Sequence, residues 1–354
     1  MNIVFRVDSS SKVGSGHLVR CIHLAKELKK RGAEIFFISR NCHGNVNDLI
    51  KNDFRLIQLS NNLDSSHRSQ HKDAINTIKK IKDLDVKLLI VDNYCLSSSW
   101  EIEVHKFCKN IMVIDDLADR KHYCDFLLDQ NFYKNLDHRY NSLMLKPCIK
   151  FLGPKYALLK KDFSLQRKKL KINKSNISKH KRYFLFFGGN DFENLTEMTF
   201  NVFCTELLKK EKLDIVVGSR YKYIKRLSNK VMKRPKTSLY VQTENMAKIM
   251  SKADYSICSG GVNTWERICL NIDSHVIISA ENQRQHILGL EKLGVLKVIG
   301  YAESINENII FDHINNKIIN NKIKRSQLNK SFCDGEGVDR VVSTIMRSIK
   351  KCQK

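Results

Sequence analysis

The sequence predicts an α/β protein of two Rossmann-like domains, residues 1–165 and 181–354, facing each other across a cleft. Three observations carry this expectation. In both halves short apolar runs alternate with helical apolar spacing, the rhythm of βαβ units in a parallel sheet. Each half has a glycine loop between strand and helix, Gly14-Ser-Gly16 in the first and Ser259-Gly-Gly261 in the second. Between the halves, 165–181 is polar and basic without apolar periodicity, as a linker would be.

The first half opens on an apolar strand, Asn2 to Val7, that runs into the glycine loop. Leu18, Cys21, Leu24, Ala25 and Leu28 then mark a helix over roughly His17 to Arg31. Gly14 and Gly16 allow a tight turn and close approach to a ligand. The free N–H groups of a helix start favour an anion. His17 sits in the first turn, where a group titrating near neutrality suits acid–base chemistry on a phosphorylated substrate. The plainer alternative is a helix-start histidine satisfied by a backbone carbonyl. Further strands are expected at Glu34–Ile38, Lys87–Val91 and Ile111–Ile114, with helices over 71–82 and 98–108. Polar residues gather at the strand ends: Asp8, then Asp92-Asn-Tyr94, then Asp115-Asp116. Ligands of such sheets bind at that carboxyl edge. Asp83-Leu-Asp85 precedes its strand, lies at the opposite edge, and is read as a loop, so no metal site is expected.

The loop is a poor dinucleotide fingerprint. Val19 stands where the third glycine belongs, and the next strand ends in Ser39-Arg40 instead of an acid. NADP through Arg40 is the one variant left open, and no cofactor is expected.

The second half repeats the architecture without repeating the sequence. Arg182–Phe187 ends in Gly188-Gly189-Asn190-Asp191, and Leu213–Val217 ends in Gly218-Ser-Arg220. Ala253–Cys258 leads into Ser259-Gly260-Gly261 and a helix from Asn263 to Leu270. Ser274–Ser279 leads into Glu281-Asn282-Gln283, and 340–351 is helical. Backbone N–H groups of the Ser259–Gly261 loop can hold a diphosphate. Glu266 suits a ribose diol, and Asn282 and Gln283 suit sugar hydroxyls. Singly each is an ordinary loop or helix-start residue; together they describe a nucleotide-sugar site.

Composition sets limits. The 354 residues include eleven cysteines with no Cys-x-x-Cys pair, read as reduced core residues. No run approaches a membrane span, and no secretory leader is visible, so a cytoplasmic protein away from membranes is expected. The formal charge of +25 raises nucleic acid as a partner. Its densest run, Arg167 to Arg182, has no interleaved aromatics and reads as solvated linker.

Arg6-Val-Asp-Ser-Ser10 with Gly14-Ser-Gly-His-Leu-Val-Arg20-Cys21 resembles the opening of the UDP-2,4-diacetamido-2,4,6-trideoxy-β-L-altropyranose hydrolases of pseudaminic acid biosynthesis. The resemblance continues through Val91-Asp-Asn-Tyr94 with Trp100-Glu101, Ile114-Asp-Asp-Leu-Ala-Asp-Arg120, Leu127-Leu-Asp-Gln-Asn131 and Leu152-Gly-Pro-Lys-Tyr-Ala157. It includes Phe187-Gly-Gly-Asn-Asp191, Ser259-Gly-Gly261 with Thr264-Trp-Glu266, Asn282-Gln283, and Cys333-Asp-Gly-Glu-Gly337 with Arg340. Asn93, Asn263 and Asn282 depart from the pattern in small ways.

The resemblance implies a GT-B-like, MurG-type fold and metal-independent release of UDP, with water as the acceptor. It places the catalytic histidine on His17 and the uridine and diphosphate contacts on Ser259–Glu266. Substrate contacts are expected from Asp8, Gly14, Ser15, Gly16, Arg20 and Tyr94 in the first domain. In the second they are expected from Gly188, Gly189, Asn190, Ser259, Gly260, Gly261, Glu266, Asn282 and Gln283. Asp8 is expected either to hold the sugar ring or to orient His17. A glycosyltransferase using a UDP-sugar donor and an RNA-binding protein are the alternatives, and the oligomeric state is left open.

Overall fold

The computed structural model describes residues 1–11, 13–59, 64, 66–172, 180–319 and 332–351. It separates into two compact units, Met1–Leu159 with Glu336–Lys354, and Lys160–Gly335.

The first unit holds a seven-stranded sheet in the order β3-β2-β1-β4-β5-β6-β7. Its strands are β1 (Asn2–Val7), β2 (Glu34–Arg40), β3 (Arg55–Leu59), β4 (Val86–Asp92), β5 (Ile111–Ile114), β6 (Phe126–Asp129) and β7 (Ile149–Leu152). Every pairing is parallel. Its first helices are α1 (Gly16–Lys30), α2 (Asp48–Lys51), α3 (His67–Ile81) and α4 (Ser98–His105). Apart from buried Arg6, the interior of β1 is apolar on both sides because helices cover both faces. Ile3, Phe5 and Val7 pack with Leu18, Cys21, Leu24 and Leu28 of α1. Val4 packs on the opposite face with Ala74 of α3 and Trp100 of α4. α1 ends in a Schellman turn: Gly32 takes φ +87° and donates to Lys29 O, while Ala33 donates to Leu28 O.

Chain order reverses between β1 and β4, which lie side by side with Val7 opposite Asp92. This is the crossover point of the sheet, where the loops that follow the two strands diverge and leave a crevice.

The second unit holds a six-stranded parallel sheet in the order β10-β9-β8-β11-β12-β13. Its strands are β8 (Arg182–Phe186), β9 (Lys212–Val217), β10 (Thr237–Val241), β11 (Tyr255–Ser259), β12 (Asp273–Ile278) and β13 (Lys297–Tyr301). Its helices are α5 (Lys161–Ile172), α6 (Leu195–Phe203), α7 (Ile224–Met232), α8 (Met246–Met250), α9 (Asn263–Cys269), α10 (Glu281–Lys292) and α11 (Glu307–His313). Here the crossover falls between β8 and β11.

The expected boundaries, 1–165 and 181–354, are corrected at both ends. The stretch expected to begin the linker is helical as α5, which packs on α8 and α9 of the second unit. It is anchored by a charge: buried Arg167 donates to the carbonyls of Cys269 and Cys333 at 2.7 and 2.9 Å. That anchor leaves no apolar periodicity to read. Residues 173–179 of the expected linker lie outside the described residues.

The final helix, α12 (Gly337–Lys351), packs in the first unit, not the second. Val338, Val341, Val342, Ile345 and Ile349 form its apolar stripe and join the cluster of β1 and α1. Gly337 starts it because an added Cβ would sit 2.3 Å from Ala157 O. Truncating Ile345 to alanine empties a fully buried position and should cost about 2–5 kcal/mol in denaturant unfolding. Lys350→Ala, at an exposed site on the same helix, should be nearly neutral. Equal stabilities for the two variants would place α12 elsewhere.

Candidate active site

The first site forms at the β1/β4 crossover. His17 is buried in the first turn of α1, and its Nδ1 lies 2.6 Å from Asp92 Oδ1 at the end of β4. A carboxylate can only accept, so in the neutral imidazole the proton on Nδ1 faces Asp92 and the lone pair lies on Nε2, with an Arg20 terminal nitrogen also 3.1 Å from Nδ1. Arg20, one turn further along α1, grips Asp92 with two hydrogen bonds, from Nε at 2.6 Å and from a terminal nitrogen at 2.7 Å. Its other terminal nitrogen donates to Asp116 at 2.9 Å. Tyr94 donates its hydroxyl to Asp116 at 2.6 Å and sets its ring edge-on to His17, with centroids 4.6 Å apart. Burial opposes ionisation of Asp92, but Arg20 and His17 outweigh it and hold the carboxyl well below the usual range. Desolvation, together with Asp116, pushes the Tyr94 phenol up, so Tyr94 stays neutral and donates.

This arrangement corrects the expectations for Asp8, Arg40 and Arg20. Asp8 does not orient His17. It accepts both terminal nitrogens of Arg6, at 2.7 and 2.9 Å, together with Arg40 and the Asn93 amide at 2.8 Å. Arg6 and Arg40 also pair with buried Asp73, itself held by the Trp100 indole at 2.8 Å. Arg40 is therefore buried and committed, which removes the residue that kept NADP open. Arg20 is likewise enclosed and spent on two carboxylates, so it positions protein groups. The orienting carboxylate, Asp92, stood in the expected polar layer, but only the β1/β4 pairing puts it beside His17.

In the glycine loop, Gly14 takes φ +80° and donates to Ser10 O at 2.8 Å, which closes the turn before α1. Ser15 is the helix N-cap residue without a side-chain cap, and Gly16 begins the helix.

The second set of residues lies at the β8/β11 crossover. Gly188 needs its φ of +95°, and the Gly189 backbone comes so close to Gly218 that a Cβ there would meet Gly189 O at 2.2 Å. Asn190 is half-buried, and Asp191 caps α6 through the N–H groups of Leu195 and Thr196. Ser259 ends β11, and its carbonyl accepts two bonds from buried Arg267 at 3.2 Å. Gly260 serves packing: a Cβ would press on Ile287 at 2.8 Å and Gln283 at 3.0 Å. Its N–H donates to Gln283 Oε1 at 3.2 Å, and its carbonyl accepts from His286 at 3.1 Å. Gln283 thus fastens the loop with its oxygen. Gly261 has open space, its nearest neighbour being Gln283 Nε2 at 4.0 Å.

Glu266, in the first turn of α9, is half-buried, and its carboxyl group makes no hydrogen bond among the described residues. Desolvation, partly offset by Arg267, pushes its carboxyl up to about 7. Asn282 is exposed at the start of α10. Among the described residues no group of three or more His, Cys, Asp or Glu is placed to hold a metal ion. None of the described helices is long and apolar enough to cross a membrane.

Two parallel α/β units with glycine loops at their crossovers have the fold of the GT-B glycosyltransferases. The chain superposes on Acinetobacter baumannii MurG with TM-score 0.64 and 14% identity, over 98% of this chain and 100% of that one. It superposes on Arabidopsis thaliana UGT89C1 complexed with UDP-L-rhamnose with TM-score 0.63 and 11% identity, over 97% and 98%. No family model matches the chain. In sequence it is similar to the UDP-2,4-diacetamido-2,4,6-trideoxy-β-L-altropyranose hydrolase of Campylobacter jejuni, 27% identical over 83% of this chain and 97% of that one. It is also 27% identical to an uncharacterized protein of Methanocaldococcus jannaschii, over 80% of this chain and only 57% of that longer relative.

Behind the site, His122 is fully buried, 2.7 Å from Glu101 and 3.8 Å from Asp115. Burial opposes its charge, but Asp115 and Glu101 win and push its pKa up to about 9. A group whose folded pKa is raised lends its stability below the unfolded value, about 6.5 for histidine, and loses it as the pH climbs through the folded one. Stability should therefore drop between about pH 6.5 and 9.5. The loss is at most on the order of 3–4 kcal/mol, since each tenfold gain in proton affinity is worth about 1.4 kcal/mol. In His122→Gln that slope should flatten in urea unfolding. An unchanged slope would deny the charged histidine.

Proposed function

We propose that the chain hydrolyses a UDP-linked sugar of the 2,4-diacetamido-2,4,6-trideoxy-β-L-altropyranose type, releasing UDP and the free sugar for pseudaminic acid biosynthesis. The observation that carries this reading is the His17–Asp92 pair. Asp92 fixes the Nδ1–H tautomer and leaves Nε2 as a base. In the proposed step a water oxygen attacks the anomeric carbon and its proton passes to Nε2. The bond from the anomeric carbon to the diphosphate oxygen breaks, and UDP leaves with the electron pair. Two carboxylates face one guanidinium around His17, so the incoming proton arrives where negative charge is in excess. The name of the Campylobacter relative and the order of the shared motifs support the substrate class.

In this reading the second unit binds UDP. Gly188–Asn190 and Gly261 line the diphosphate, and Glu266 accepts the ribose hydroxyls. Asn282 and the Gln283 amide N–H group serve the sugar, while the Gly14–Gly16 turn lets substrate approach His17. The step uses no metal.

The fold likeness to glycosyltransferases favours one competing reading, transfer to an alcohol acceptor in place of water. Incubation with the UDP-sugar alone separates the two, since a hydrolase should release UDP stoichiometrically with water as the only acceptor, in EDTA as well as without it. His17→Asn should keep UDP affinity within a few-fold and lose about 10²–10⁴ in rate. Near-normal turnover by that variant would sink the mechanism.

Glu266 gives a second test. If the carboxylate form takes the ribose diol, UDP affinity should rise between about pH 5.5 and 8 as the group ionises through about 7. In Glu266→Gln calorimetry should find weaker binding, with only the ligand's own pH dependence left. Identical pH profiles in the two proteins would remove Glu266 from the ribose.

A further inference from the structure

His17, Asp92, Arg20, Asp116 and Tyr94 form a closed ring of contacts. Nδ1 of His17 is tied to Asp92 at 2.6 Å, Asp92 to Arg20 at 2.6 and 2.7 Å, and Arg20 to Asp116 at 2.9 Å. Asp116 accepts the Tyr94 hydroxyl at 2.6 Å, and the Tyr94 ring returns edge-on to the imidazole at an interplanar angle of 87°. From this ring we infer that Asp116 is a positioning residue for the reaction: its carboxylate makes no contact with His17, yet it holds Tyr94, whose ring packs on the imidazole, and Arg20, which holds Asp92. The inference rests on the reading of His17 as the base.

The neighbouring aspartate shows why this is more than fold support. Asp115 and Asp116 follow β5, and their side chains divide the work. Asp115 holds the turn, accepting the Ala118 N–H at 2.9 Å and the Tyr140 hydroxyl at 3.0 Å on one oxygen and forming an ion pair with Arg120 at 2.9 Å through the other. The backbone of Asp116 is anchored separately, its carbonyl accepting from Tyr133 at 2.8 Å and Arg139 at 2.9 Å. The Asp116 carboxylate is thus left with one oxygen on Tyr94 and the other on Arg20.

The consequence is geometric. An imidazole held only at Nδ1 can swing about that hydrogen bond and can exchange tautomers. With Arg20 locked by two carboxylates, Asp92 cannot turn. With the Tyr94 hydroxyl locked, its ring bars the imidazole from swinging. Nε2 then keeps one direction, which is what orienting a water demands.

Asp116→Asn keeps the shape and removes the charge. It should retain the wild-type melting temperature within a few degrees and bind UDP equally well. Its kcat should fall about tenfold to a hundredfold at unchanged KM, because only an interaction realised in the transition state is lost. In a His17→Asn background the same change should do nothing further, since it acts through the imidazole. Tyr94→Phe cuts the ring at the next link and should show the same split, which keeps the test open should Asp116→Asn fail to fold. Ring nitrogen NMR of the resting protein supplies a readout that needs no turnover. Wild-type His17 should show the Nδ1–H tautomer alone, and Asp116→Asn a mixture.

An absence of turnover in the wild type would defeat the functional reading while leaving the NMR result to decide this one. Unchanged kcat with an unchanged tautomer would overturn the inference. So would an equal loss of rate in the His17→Asn background, or a rise in KM alone, which would make Asp116 a substrate contact.

Discussion

The first unit depends on the compensation of Asp92. A carboxylate buried at the end of a central strand is costly unless it is paired and hydrogen-bonded. Asp92 is fully enclosed, and Arg20 and His17 reach it from one face of one helix, three residues apart. That spacing puts both side chains over the same turn. The helix must therefore begin where it does, one residue before His17, and Gly14 in its left-handed conformation sets that start. The same pairing that stabilises the carboxylate orients the His17 imidazole, so one contact serves both the burial of Asp92 and the placement of the ring.

The opposite face of the crossover is organised by a second ion network. Arg6 and Arg40 are each shared between Asp8 and Asp73, and Asn93 ties Asp8 back to the β4 loop. Removing one member of such a buried set leaves an uncompensated charge, a cost of about 3–5 kcal/mol. The polar residues around His17 thus belong to two groups: one acts on the imidazole, and the other holds the two strand ends in register.

In the second unit the glycines differ in what they do. Gly260 and Gly218 exist for close packing against protein, Gly188 for its backbone angle, and Gly261 alone of these faces open space without a strained φ. Glu266 stands one turn beyond as a carboxylate with no protein partner among the described residues. An unpaired carboxylate in a half-buried place is destabilising by itself, and a diol that donates two hydrogen bonds would satisfy it.

The sequence by itself determined the α/β class, both glycine loops, and the strands at 2–7 and 111–114, because buried parallel strands are written as continuous apolar runs. It also placed His17 at a helix start and Asp8, Asp92 and Asp116 in one polar layer. It missed the strands at 55–59, 126–129, 149–152, 237–241 and 297–301, which are short or lie towards the sheet edges, where the apolar signal is weak. It assigned the last helix to the wrong unit, because an amphipathic stripe states that a face is buried and never against what. Only the tertiary structure decided which aspartate serves His17. Asp8 and Asp92 look alike along the chain, each following an apolar run. The strand order puts both at the same crossover, and the side to which each carboxylate turns separates them: Asp8 to Arg6 and Arg40, Asp92 to α1. That difference is set by pairing across residues far apart in sequence, which no local pattern encodes.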